Sequence, residues 1–66
     1  MTEKRSIKSV RVDIGLTQEE TAQRLSMPLS TYQKKEQGVT EFTFGEITKL
    51  SEIFGTEVSL LKNPAD

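Results

Sequence analysis

The chain has 66 residues, with nine Lys and Arg against ten Asp and Glu, and it contains neither Cys nor His. That length gives one domain near the lower limit for a core that folds alone. The missing Cys and His exclude disulfides, Cys/His zinc sites and histidine bases. One third of the residues are apolar and 29% are charged, an ordinary balance for a globular chain, and neither a membrane-length apolar run nor an apolar signal-peptide core is present. These features predict a soluble, cytoplasmic protein with no membrane partner, no metal and no cofactor. Helix packing or a partner, rather than a covalent or metal staple, must supply its stability.

Glycines punctuate the chain. Gly15, Gly38 and Gly55 each follow an apolar-periodic stretch, as expected of a left-handed residue just past a helix end. The first helix is predicted over residues 3–13, with Ile7, Val10 and Ile14 turned inward and Leu16 packing as the chain turns. A second helix is predicted over residues 18–25. Thr17 and Glu20 form a capping box at its start, and Ala22 and Leu25 point inward. After a turn at Ser26-Met27-Pro28, a third helix is predicted over residues 29–37, with Tyr32 facing in. A second capping box, Thr43 with Glu46, opens a fourth helix through Phe54 whose inward set is Ile47, Leu50, Ile53 and Phe54. A last helical turn over residues 57–61 returns Val58 and Leu61 to the core, and Asn63-Pro64-Ala65-Asp66 reads as a flexible tail. The expected fold is all-α, five short helices in one domain over residues 1–62, with no strand pattern and no repeat.

The capped helix, short turn and following helix are the unit that lays its second helix in the DNA major groove in helix-turn-helix proteins. Charge neither requires nor forbids that use. Residues 1–38 carry seven bases and five acids, a net of +2, whereas residues 39–66 carry two bases and five acids, a net of −3. The half that would meet phosphates is therefore mildly basic.

Ile7-Lys8-Ser9-Val10-Arg11, Gly15 through Ala22, Glu36-Gln37-Gly38 and Leu50 through Gly55 together resemble the Cro/CI-type, lambda-repressor-like helix-turn-helix family. The likeness spans about residues 5–62, and its most specific elements are the spacings of Arg11, Gln18, Ala22 and Glu36-x-Gly38. It implies five short helices and a small transcriptional switch, with brevity pointing to a phage or mobile element. It also implies an ion pair between Arg11 and Glu36, in which a planar guanidinium matches a carboxylate and fixes the angle of the reading helix. Without that pairing, both are solvated charges on separate helices.

Gln18 opens the second helix, where its amide is placed to donate to a phosphate or to meet a reading side chain. The reading face implied by the resemblance is Leu29, Ser30, Thr31 and Lys34, with Gln33 and Gln37 beside them. Lys reaches guanine, Ser and Thr serve either base, and Leu touches a thymine methyl. Val39 and Thr40 follow in the next loop. Operator DNA is thus the expected partner, and DNA binding would require a homodimer on two half-sites.

Three positions depart from the family pattern: Ser26 stands where a turn glycine is usual, Lys35 where an apolar residue packs, and Val39-Thr40-Glu41-Phe42 where relatives place bases against phosphates. The last departure supports a rival expectation. Leu29, Val39 and Phe42 would form an apolar patch that docks a partner repressor, making the chain an antirepressor. Alternatively, Phe42 folds inward ahead of the Thr43 cap. Enzymatic activity is not expected: the chain has no histidine, no cysteine and no phosphate-binding glycine loop. An antitoxin role would need a longer tail.

Overall fold

The computed structural model describes residues 3–64. Residues 65 and 66 of the expected tail, and the first two residues of the expected domain, lie outside the described residues. Four α-helices form the body: α1 (Ile7–Asp13), α2 (Gln18–Arg24), α3 (Leu29–Glu36) and α4 (Phe44–Phe54). A 3-10 turn at Val58–Leu60 stands where a fifth helix was expected. Two short parallel strands, β1 (Arg5–Ser6) and β2 (Leu61–Lys62), pair Arg5 with Leu61 and Ser6 with Lys62.

The strand pair corrects two expectations at once. α1 starts at Ile7 rather than near residue 3, because Ser6 is extended and its hydroxyl accepts the Ser9 N–H at 3.0 Å. At the other end Leu61 is extended (φ −98°, ψ 127°) to meet Arg5, so the last helical stretch stops after one 3-10 turn. The fold is therefore mostly helical, with a two-stranded closure that the periodicity does not announce.

Helix ends follow one pattern. Past α1, the Gly15 N–H reaches the Val12 carbonyl at 3.0 Å and the Leu16 N–H reaches that of Arg11 at 3.1 Å. This turn brings Leu16 against the core and leaves Ile14 outside at 45% exposure, so Ile14 is not the inward residue that its spacing predicts. The same bond pair ends α2, from Ser26 to Gln23 and from Met27 to Ala22, both at 3.0 Å. Ser26 takes φ 57° there, the one non-glycine described residue in the left-handed region.

The core consists of Ile7, Val10, Ala22, Tyr32, Phe42, Ile47, Leu50, Phe54 and Leu61, with Leu16, Leu25, Met27, Ile53 and Val58 packed around it. Both predicted capping boxes form: Thr17 and Thr43 each accept from, and are reached by, the glutamate three residues on. α2 and α3 lie against each other through this core, which sets where the outward face of α3 points. Beyond β2, Asn63 donates to the Phe42 carbonyl at 3.2 Å, and Pro64 lies so close to Gly38 that a Cβ there would sit 2.9 Å from the Pro64 oxygen.

Candidate nucleic-acid interface

A buried ion pair fixes α3. The Arg11 Nε donates to Glu36 Oε2 at 2.9 Å, its Nη2 donates to Oε1 at 3.1 Å, and its Nη1 donates to the Leu16 carbonyl at 2.7 Å. The side chains of Arg11 and Glu36 retain only 9% and 2% exposure. Tyr32, one turn before Glu36 on α3, donates its hydroxyl to Oε2, and Gln18 Nε2 donates to Oε1 at 3.0 Å. Four donors thus converge on one carboxylate, which is how a charge survives burial.

The electrostatics follow from that geometry. Burial pushes the Glu36 carboxyl up, but hydrogen bonds from Arg11, Tyr32 and Gln18 and the Arg11 charge outweigh it, so the group sits below its ordinary range. Arg11 is raised, chiefly by its hydrogen bond to Glu36. Tyr32 is pushed far up by burial and then by its bond to Glu36, so its proton stays in place as the donor. The expected pair between Arg11 and Glu36 is present, and sequence reasoning missed its two helpers. Tyr32 sits four residues from Glu36 on one helix, a spacing that places both on one face.

The described surface presents the outward positions of α3 unevenly. Ser30, Lys34 and Gln37 are exposed, Thr31 and Gln33 are half-buried, and Leu29 is 37% exposed. In the loop after α3, Val39 is 68% exposed and Thr40 is open to solvent. Gln18 is half-buried: besides its bond to Glu36, its Oε1 accepts from Gln33 Nε2 at 3.1 Å. Gln18 thereby links α2 to the outward part of α3.

Phe42 does not belong to this surface. At 4% exposure it lies in the core, its ring tilted 58° to Tyr32 with centroids 5.9 Å apart. The cause lies partly in Lys35. Its stem runs along the core edge, placing Nζ 6.0 Å from the Phe42 ring centre, 3.0 Å from the Glu41 carbonyl and 2.9 Å from Glu46. Lys35 therefore pins the loop inward from α3 to the first turn of α4. The exposed aromatic nearby is Phe44, at 79%.

No pocket opens on the surface of the described residues, and no group of three acidic side chains is placed to hold a metal. Among the described residues no helix is long and apolar enough to cross a membrane.

A capped helix, a tight turn and a second helix locked by a buried ion pair define a helix-turn-helix domain. A family model described as helix-turn-helix, HTH_3, matches residues 7–61, and the chain belongs to this Cro/CI-type family of DNA-binding transcription regulators. Comparison with curated proteins and with solved structures returns no match. The family is one of double-stranded DNA binders rather than enzymes.

Proposed function

We propose that the chain regulates transcription in a phage-type genetic switch by laying α3 in the major groove of an operator. The observation that supports this most directly is the α3 face of Ser30, Gln33, Lys34 and Gln37, polar and held at a fixed angle by the Arg11–Glu36 pair. In this reading Lys34 meets guanine or phosphate, Ser30 and Thr31 meet base edges, and Leu29 meets a thymine methyl. Gln37, Val39 and Thr40 line the approach to the backbone. One module of this size makes few contacts, so two copies bind half-sites about one helical turn apart.

A second reading, capture of a partner repressor, rests on the exposed Val39 and the partly exposed Leu29. With Phe42 in the core, its apolar surface is smaller than the sequence alone implies.

A gel-shift titration on regulatory DNA, with and without the cognate repressor, separates the two. Operator binding gives a discrete band from the chain alone that Lys34→Ala weakens, with affinity falling steeply as salt rises. Loss of the repressor's own band, with no band from the chain alone, would instead establish capture.

A further inference from the structure

We infer that Asn63 and Pro64 are positioning residues for the interface: they strap the loop after α3 and set where Val39 and Thr40 stand beside the DNA backbone. The functional half of this rests on the operator-binding reading above, and the structural half stands on the loop alone.

The strap has a fixed origin. Asn63 and Pro64 directly follow β2, which is anchored by its pairing with β1 and by the buried Leu61 side chain. Each further residue adds at most about 3.6 Å of reach, so Pro64 stays close to that anchor.

The strap meets the loop at both ends. Just past α3 the chain turns at Gly38, whose φ of +86° favours glycine and whose missing side chain leaves room for Pro64. A Cβ there would stand 2.9 Å from the Pro64 oxygen and 3.6 Å from the Pro64 Cβ. At the far end, Asn63 Nδ2 donates to the Phe42 carbonyl at 3.2 Å. The carbonyl one residue earlier, that of Glu41, accepts from Lys35 Nζ at 3.0 Å. Two successive loop carbonyls are therefore held by side chains from two different parts of the chain, one on α3 and one beyond β2.

Between Gly38 and Glu41 stand only Val39 and Thr40, both exposed. Their N–H groups share one acceptor, the Lys34 carbonyl, at 2.9 and 3.4 Å. A two-residue span tied at both ends has little conformational freedom left to lose, so ordering it on binding costs little. The strap acts on this loop, whereas α3 meets the bases. It therefore governs how firmly the domain seats against phosphates and not which sequence it prefers.

Amide hydrogen exchange on the full chain, paired with binding to duplexes that the wild type enriches from a random pool, tests both halves. Asn63→Ala removes the donor to Phe42, and Asn63→Asp removes it while keeping the side-chain size. Both are expected to speed exchange at the Val39 N–H by roughly two- to tenfold relative to Leu50 in α4, the span of one net hydrogen bond. A merely structural role would speed Val39 and Leu50 together. Both variants should also weaken binding by roughly two- to tenfold on all enriched duplexes alike, with the preferred sequence unchanged. Exchange that is unchanged, or raised equally at Val39 and Leu50, overturns the inference alone. A loosened loop that still binds with wild-type affinity overturns it too. A wild type that enriches no duplex overturns the operator-binding reading, and the role of the strap on DNA falls with it.

Discussion

Replacing Glu36 with alanine removes the acceptor on which Arg11, Tyr32 and Gln18 converge and leaves a guanidinium with two unmatched N–H groups beside the core. Breaking a buried pair by removing one partner costs about 3–5 kcal/mol, mostly because the other charge is stranded. The side chains here are 9% and 2% exposed, so solvent offers Arg11 little relief. A domain of 66 residues has a total stability of roughly 3–10 kcal/mol. Glu36→Ala is therefore expected to consume a large share of it and to lower the melting temperature by well over 10 °C, at roughly 4–8 °C per kcal/mol. Urea titration followed by far-UV circular dichroism measures the loss, with the exposed Glu52→Ala as control. Arg11→Met combined with Glu36→Leu should restore much of the stability, because no buried charge is then unmatched. A loss for Glu36→Ala no larger than that for Glu52→Ala would refute the reasoning.

Acid should weaken the fold through its glutamates. Glu36, Glu46 and Glu20 are all held below the ordinary value of 4.5: burial opposes this at Glu36, where hydrogen bonds from Arg11, Tyr32 and Gln18 prevail, and at Glu46, where the Thr43 N–H and then Lys35 prevail, while Thr17 holds Glu20. The unfolded chain therefore binds protons more readily than the folded one, so their stabilising effect is full above 4.5 and fades as pH falls through the lower folded values. A urea midpoint identical at pH 7 and pH 3 would contradict this. Ser26→Gly, which relieves a left-handed serine, should raise stability by about 0.5–1 kcal/mol, read as a higher urea midpoint with unchanged slope. Gly38→Ala should cost more than Gly15→Ala. Both glycines have φ above +80°, but a Cβ at Gly38 meets the Pro64 oxygen at 2.9 Å whereas Gly15 faces open space. Equal losses in paired thermal melts would show that the Pro64 contact is immaterial.

Features decided within a few residues were legible in the sequence. Thr17 with Glu20 and Thr43 with Glu46 carry their own hydrogen-bond partners three residues away, so both helix starts could be read directly. The inward residues of α4 followed from spacing for the same reason. Long-range decisions were not legible. Nothing near Arg5 announces that Leu61 will pair with it, so periodicity alone extends α1 too far toward the N-terminus. Ile14 satisfied the periodicity but fell just past the helix end, where the turn at Gly15 substitutes Leu16. Phe42 has an inward and an outward option, and the groups that help hold it inward, Lys35 and Asn63, lie on different elements. At the interface, the resemblance supplied Arg11 and Glu36, while the directional link through Gln18 needed coordinates.

The pairing of Arg5 with Leu61 ties the fold to the timing of synthesis. The two partners stand at opposite ends of the domain, and Leu61 also supplies a buried core side chain. A chain emerging from the ribosome therefore lacks both its closing strand and part of its core until nearly all of the domain has been made. Helices α1 to α3 are synthesised early, yet α4, which covers them, and Leu61, which seals them, arrive last. Such short helices are marginal on their own. The packing of Tyr32 on α3 into the core it shares with Leu50, Phe54 and Leu61 is consequently completed only as a late event.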